Sequence, residues 1–159
     1  MKKVSAVVVC LFAIGLVMSA TSCSKGWDAS SANAQLATLD ILFSPNGSTR
    51  LVGDQRAKAQ TEVPEVVLPL MEEMPEGYVL AVKGHANTVG ENTATGRARN
   101  VQISRARAQA VRNVLANQGV DADKMQIVVM SASDLIPGVP GDSGLNRRTS
   151  FLFVEEGDL

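Results

Sequence analysis

The chain contains one histidine and two cysteines in 159 residues, so it has few of the side chains that bind transition metals or act as nucleophiles. His85 has no second metal ligand at helical spacing, and a zinc site needs several ligands. Ser104 belongs to a helical pattern, and nothing in the sequence near it would orient the His85 imidazole as a general base. We therefore expect a protein that is not an enzyme, needs no cofactor or metal, and packs His85 at the end of a strand.

A surplus of basic residues is also missing. The chain has 15 Lys and Arg residues against 16 Asp and Glu residues, and removal of Lys2 and Lys3 with the leader described below leaves 13 against 16, a charge of about −3. Nucleic-acid-binding domains usually show a basic excess, so we expect no nucleic-acid partner. The loop between Gly84 and Gly90 lacks the glycine and lysine pattern of a phosphate-binding loop.

The first residues have the composition of an export signal. Lys2 and Lys3 precede an apolar run at residues 7–18, and small residues lead up to Cys23. The run is shorter than the roughly 20 apolar residues that span a bilayer. We predict that residues 1–22 form a signal peptide and are removed.

The placement of Cys23 resembles a bacterial lipoprotein signal, which implies a mature chain that begins at a cysteine carrying fatty acids such as palmitate. The usual Leu three residues before the cysteine is replaced by Ala20, and an ordinary signal peptidase site is the alternative. Ser24 after the cysteine implies sorting to the outer membrane, with the protein lipid-anchored at its periplasmic face. The mature chain would then hold neither a free thiol nor a disulfide.

Residues 23–36 are small and polar, and we predict that they form the lipidated cysteine and a short tether. Fully extended, such a segment reaches roughly 40 Å. Trp27 either packs back on the domain or rests on the bilayer surface. Residues 37–159 are long enough for one domain with its own hydrophobic core.

The apolar patterns within this domain alternate between strands and helices. We predict strands at residues 39–43, 78–83, 125–131 and 149–155, a helix at 64–74 with Pro64 in its first turn, and a helix at 101–118 with Asn100 as N-cap and Gly119 as terminator. Residues 51–62 are either helical or irregular. The order strand, helix, strand, helix, strand, loop, strand predicts an α/β (α+β) sandwich with helices packed on a small mixed sheet.

Arg107 falls inside the apolar stripe of the second predicted helix. It follows Ile103 by four residues and precedes Val111 by four, so all three side chains share one face. A guanidinium keeps its charge and needs an anion or carbonyl groups to replace lost hydration. The alternatives are a salt bridge within the domain, a side chain that reaches out of the helix end, or a binding point for a ligand carboxylate.

Three motifs in this order resemble the C-terminal OmpA-like domain, and the resemblance covers about residues 39–155. The motifs are Gly84-His85-Ala86-Asn87 with Gly90, Asn100-Val101-Gln102-Ile103-Ser104-Arg105-Ala106-Arg107-Ala108, and Asn146-Arg147-Arg148-Thr149. Ile41, Phe43 and Asn46 also resemble the first strand and loop of that family. The resemblance implies an OmpA-like fold and non-catalytic attachment to peptidoglycan, tethering the outer membrane to the cell wall.

The same resemblance implies a set of ligand-binding residues. Arg107 matches the arginine that grips the carboxylate of diaminopimelate in the peptidoglycan stem peptide, and Asn87 stands where the family has an aspartate that receives the ammonium group. The other residues implied at or beside the groove are Ala86, Asn100, Asn46 and Arg148.

Two departures from the family pattern favour an alternative function. Asn87 cannot neutralise an ammonium group, and residues 91–99 form a longer loop than the family commonly has. This loop contains Glu91, Arg97 and Arg99, and the alternatives are that it covers the groove, repels the ammonium group or provides the missing acidic group. The alternative is an OmpA-like domain that has lost wall binding and interacts with other envelope proteins in the periplasm. If wall binding persists, Arg107→Ala is expected to abolish it with little effect on folding, and Asn87→Asp to strengthen it.

Overall fold

Four strands form one mixed sheet in the computed structural model, which describes residues 26–159. The strands are β1 (Ile41–Leu42), β2 (Tyr78–His85), β3 (Met125–Ser131) and β4 (Arg148–Glu155), in the spatial order β1-β4-β2-β3. Strands β2 and β3 are parallel, whereas β4 runs antiparallel to both β1 and β2. The four predicted strands are confirmed, although β1 is only two residues long. The predicted signal peptide and Cys23 lie outside the described residues.

Four α-helices accompany the sheet within the described residues. They are α1 (Ala29–Leu36), α2 (Gly53–Gln60), α3 (Glu62–Glu73) and α4 (Ala94–Asn117), and α4 connects the parallel strands β2 and β3. Pro64 lies in the first turn of α3, where its missing N–H costs nothing. In this part of the chain, no helix combines the length and apolar character needed to cross a membrane.

The hydrophobic core lies on one face of the sheet. Leu80 and Val82 of β2 and Phe151 and Phe153 of β4 point into it, as the period of two along a strand requires. The helices cover this face with Ala32, Leu36, Ala59, Val63, Val67, Met71, Ala108, Val111 and Leu115. The expected sandwich of helices on a small mixed sheet is confirmed. Lys83 and Ser150, which are paired across β2 and β4, lie on the opposite face, called here the open face.

The predicted tether is wrong for residues 28–36, which form α1 and its N-cap. The Asp28 carboxylate accepts hydrogen bonds from the N–H groups of Ser30 and Ser31, which starts the helix. Because β1 is so short, β4 has a free edge at Phe153, and the side-chain amide of Asn33 both donates to the Phe153 carbonyl and accepts from its N–H. Trp27 packs edge-on against Phe153, at 5.3 Å between ring centroids.

The predicted helix start at Asn100 is also wrong. Helix α4 begins at Ala94 after Thr93, whose hydroxyl accepts a hydrogen bond from the Gly96 N–H at 3.0 Å. The long loop predicted for residues 91–99 is therefore mostly helix. Gly96 is unfavourable inside a helix by itself, but it lets this first turn lie against the Gly90 carbonyl, where a Cβ would collide. The predicted terminator Gly119 is confirmed by its left-handed φ of 94°.

Candidate functional site

The site begins at the end of β2, where α4 crosses the strand at close range. A Cβ at Gly84 would collide with the Ser104 carbonyl oxygen of α4, so only glycine permits this approach. The approach brings Arg107, one turn after Ser104, to the His85 backbone. The Gly84-His85 motif and the helix motif are thus two sides of one contact.

Arg107 is the largest of the fully buried side chains in the described residues, with 1% of its surface exposed. Its Nε donates to the Ser48 carbonyl at 2.9 Å, and its Nη1 donates to the His85 carbonyl at 2.8 Å. The guanidinium carbon also lies 5.2 Å from the centre of the Phe43 ring. Burial, with a smaller contribution from the charge of Arg147, lowers the pKa of Arg107 to about 10, so the group remains a cation at neutral pH.

No carboxylate within residues 26–159 lies within 4.0 Å of the Arg107 guanidinium. The salt bridge considered from the sequence is therefore wrong for this part of the chain, and so is an arginine that reaches solvent. Arg147, which the sequence analysis did not single out, adds a second cation and donates to the Phe43 carbonyl at 3.1 Å. Nη2 of Arg107 has no hydrogen-bond acceptor among the described residues and is not fully enclosed. Arg107 is therefore a buried cation without an anionic partner in this part of the chain.

Asn87 and Asn100 hold the loop after β2. Asn87 is 2% exposed, and its Nδ2 donates to the Asp142 carbonyl at 2.8 Å. Asn100 donates through Nδ2 to the carbonyls of Asn87 and Val89 and, at 2.6 Å, to the Glu91 carboxylate. Ala86 is buried, and its N–H donates to the Ser131 carbonyl. Asn87, Asn100 and Ala86 thus lie together at the site. The backbone N–H of Ala86 is not free to bind a ligand, because it already donates to Ser131.

A small cavity of about 80 Å³ opens beside these residues. It is lined by Asn46, Gly47, Val89, Gly90, Gly96, Arg99, Asn100 and Ile103. Asn46 and Asn100 thus border a common space, and Arg99 adds another positive charge. Cavities of about 190 and 220 Å³ lie elsewhere, the first against Trp27 and the second between α3 and residues 119–124. We place the site at the smaller cavity because two of the predicted site residues, Asn46 and Asn100, line it together with the cation Arg99.

Arg148, expected to border the groove, lies on the open face instead. Its neighbours Thr149 and Ile41 are core residues, so the alternation along β4 points Arg148 away from α4. Its Nε forms an ion pair with the Asp40 carboxylate at 3.0 Å. The structure therefore does not bring Arg148 together with Arg107. Of the two arginines in the last motif, Arg147 is the one near the site.

His85 links the two faces. Its carbonyl accepts from Arg107, whereas its ring lies on the open face with no exposed surface. Nδ1 donates to the Asp134 carbonyl at 3.1 Å, and Nε2 accepts from the Ser150 hydroxyl at 2.8 Å, which requires the neutral ring. Burial first, and then the charge of Arg148, lowers the pKa of His85 to about 4. The prediction of a histidine packed at a strand end is confirmed.

No group of three or more His, Cys, Asp or Glu residues within residues 26–159 could hold a metal ion. Ser104 is fully buried, and the ring of His85 contacts Ser150 instead. The functional groups that converge here are guanidinium and amide groups, with one carboxylate. Guanidinium and amide groups can donate hydrogen bonds to an anion, and a carboxylate can accept them from a cation.

Similarity to known proteins agrees with this geometry. The OmpA-like domain of FopA1 from Francisella tularensis superposes with a TM-score of 0.58 at 19% identity, over 73% of this chain and 71% of that one. The C-terminal domain of Helicobacter pylori MotB gives 0.54 at 18% identity, over 74% and 86%. The comparison with curated proteins gives no match. The OmpA family model matches residues 42–146, about two thirds of the chain, and the protein therefore belongs to the OmpA family.

Proposed function

We propose that this domain binds peptidoglycan non-catalytically through a carboxylate of the stem peptide, and that it tethers the outer membrane to the cell wall through a lipid on Cys23. OmpA-like domains are typically peptidoglycan-associating binding modules, and the family membership of residues 42–146 supports the first part. The diaminopimelate carboxylate is the proposed ligand of Arg107.

One observation carries the proposal. Arg107 is a buried cation whose hydrogen-bond partners in the described residues are two backbone carbonyls, with Arg147 as a second cation nearby. Carbonyl dipoles solvate the charge but do not neutralise it, so the site keeps a net positive potential. A carboxylate that paired with Nη2 would gain a charge-assisted hydrogen bond at little reorganisation cost.

The position of Trp27 supports the tethering role. Trp27 packs against Tyr78 at the beginning of β2, whereas the Arg107 contact lies at its end, at His85. Eight strand residues separate the two ends by about 25 Å. Trp27 follows Cys23 by only four positions, a reach of about 14 Å. A lipid on Cys23 would hold one end of the domain against the membrane and leave the site facing away from it.

The alternative is an interaction module for other envelope proteins that has lost wall binding. It rested on Asn87 and on a long loop at residues 91–99. Helix α4 now accounts for residues 94–99, so the second reason is much reduced. Asn87 remains the argument for this alternative, because its amide cannot neutralise a cation.

The test is co-sedimentation of residues 24–159 with intact peptidoglycan sacculi, comparing Arg107→Lys with Arg112→Lys. Arg112 is a matched control: it lies on the same helix and also donates to two carbonyls, those of Met125 and Ala122, away from the cavity. Each change should lower the free energy of unfolding by about 1–3 kcal/mol through lost hydrogen bonds. Arg107→Lys should also weaken binding at least about tenfold, because an ammonium cannot make the paired contact of a guanidinium.

Equal binding by the two folded variants would contradict the role of Arg107. Failure of the folded wild-type domain to pellet would contradict wall binding and direct attention to protein partners. We use lysine because Arg107→Ala would remove a large buried side chain and leave two carbonyls unpaired. The expectation from the sequence that Arg107→Ala has little effect on folding is therefore replaced by an expected loss of about 2–5 kcal/mol.

A further inference from the structure

Glu91 is fixed beside the cavity by three separate contacts. Its N–H donates to the Thr88 carbonyl, and its own carbonyl accepts from Arg97 Nη1 at 2.8 Å. Its carboxylate accepts from Asn100, a residue that lines the cavity. Main chain and side chain are thus both held, so the carboxylate has a defined position.

The Glu91 carboxylate has no cationic partner. Within residues 26–159, no nitrogen of Lys, Arg or His lies within 4.0 Å of it. Arg97, the nearest bonded cation, uses its Nη1 on the main chain. Oε1 of Glu91 accepts the hydrogen bond from Asn100, and Oε2 of Glu91 has no hydrogen-bond donor among the described residues. A half-buried carboxylate without a counter-charge has acceptor capacity to spare.

Glu91 and Arg107 are connected to the same short segment at the end of β2. Asn100, which bonds the Glu91 carboxylate, and Arg107 lie seven residues apart on α4, so they share a face of the helix. They also bind carbonyls only two residues apart, those of Asn87 and His85. An unpaired carboxylate and an unpaired guanidinium are thus held against one segment, as a ligand with both charges requires.

We propose that Glu91 receives the ammonium group of the ligand while Arg107 receives its carboxylate, so that the site selects a zwitterionic amino-acid head group. This inference rests on the proposed function, because it concerns the same site. Asn87, the position of the acidic residue in the family pattern, serves a different purpose: it donates to the Asp142 carbonyl and holds the neighbouring loop. The acidic group comes instead from Glu91, four residues later, with Asn100 as its positioning residue.

The test uses two soluble stem peptides that end in diaminopimelate, one with its side-chain amine free and one with that amine acetylated. Dissociation constants are measured by calorimetry for the wild-type domain (residues 24–159), for Glu91→Gln and for the control Glu76→Gln. The amide oxygen introduced by Glu91→Gln would still accept the Asn100 hydrogen bond, so the fold of the loop is kept. Glu76 is exposed and lies before β2, at the other end of the sheet.

The wild type should bind the free amine roughly 5- to 30-fold more tightly than the acetylated peptide, the difference between a charged and a neutral hydrogen bond. Glu91→Gln should lose that preference by binding the free amine more weakly, and Glu76→Gln should behave as wild type. A wild type that binds both peptides equally, or a Glu91→Gln variant that keeps the preference, would overturn this inference alone. No binding of either peptide by the folded wild type would overturn the proposed function together with it.

Discussion

Arg107 and Arg148 are both almost completely buried, yet they lie on opposite faces of the sheet and have different partners. Arg148, on the open face, pairs with the Asp40 carboxylate at 3.0 Å. Arg107, on the helix side, donates to two backbone carbonyls and has no carboxylate within reach in the described residues. A buried charge must be compensated, but only an opposite charge neutralises it. The comparison separates an arginine with a structural role from one with capacity for an outside anion.

The largest expected effect concerns His85, the residue that touches both arginine regions. Its pKa falls from 6.5 in the unfolded chain to about 4 in the folded one, so between these values only the unfolded state binds the proton. The free energy of unfolding should therefore decrease by up to about 3 kcal/mol as the pH falls through this window. Urea unfolding at a series of pH values measures it.

The control for this pH effect is His85→Gln, since the chain has no other histidine. The groups facing the ring are Asp134, Lys83 and Arg148. Burial alone would raise the pKa of Asp134, but the hydrogen bond and charge of Lys83, with His85 and Arg148, lower it, so its loss of stability comes at lower pH. A wild-type curve as flat as that of His85→Gln would contradict the assignment of a neutral, buried ring.

A smaller effect is expected for Asn87→Asp, which adds a carboxylate to the region of Arg107. Asn87→Asp would remove the donor to the Asp142 carbonyl and set a carboxylate oxygen against it. We expect a loss of about 1–3 kcal/mol in the free energy of unfolding, measured by urea denaturation. The expectation from the sequence that this change strengthens wall binding stays a prediction, and co-sedimentation with sacculi measures it separately.

Asp142→Ala is the matched control for Asn87→Asp, because Asn87 bonds the main chain of Asp142 and not its exposed side chain. It should change stability by less than about 0.5 kcal/mol. If Asn87→Asp folded as stably as wild type and bound sacculi more tightly, the acidic role would belong to position 87 and not to Glu91.

The smallest effect is expected for Asp40→Asn, which removes the carboxylate that pairs with Arg148. Burial raises the pKa of Asp40 in spite of the nearby charges of Arg148 and Lys58, so these charges do not fully offset the desolvation of the carboxylate. The amide oxygen of Asp40→Asn would still accept a hydrogen bond from Arg148 Nε, so the change should lower the free energy of unfolding by only about 0–1 kcal/mol in thermal denaturation and leave sacculus binding unchanged. A loss of binding comparable to that of Arg107→Lys would end the distinction between the two faces.

The strands and helices with a clear apolar period could be predicted from the sequence. The parts that could not be predicted depend on contacts outside their own segment. Strand β3 agrees with its predicted bounds because its apolar run ends in clear turns. Helix α1 was missed because only Ala32 and Leu36 face the core, and its docking depends on a free edge of β4 more than a hundred residues later. The start of α4 was missed because Gly96 is unfavourable in a helix by itself.

The candidate site shows the same division. The placement of Arg107 in an apolar stripe predicted a guanidinium that needs an anion, carbonyl groups or a route to solvent, and the structure shows it buried against two carbonyls. Arg147 and Arg148 cannot be told apart by composition, since adjacent residues on a strand face opposite ways and only the sheet decides which way is inward. The sequence names Glu91 as a candidate acidic group. Its contact with Asn100 could not be predicted, because the sequence places Asn100 at the start of α4, whereas the helix begins at Ala94.

The sequence by itself determined the alternation of strands and helices and the placement of one arginine on an apolar helix face, because both follow from the spacing of apolar residues along the chain. Only the tertiary structure decided that this arginine is buried and how its charge is compensated. The two carbonyls that Arg107 binds lie 59 and 22 residues away in sequence. Their positions depend on how closely α4 packs on β2 at Gly84, and no local pattern encodes that distance.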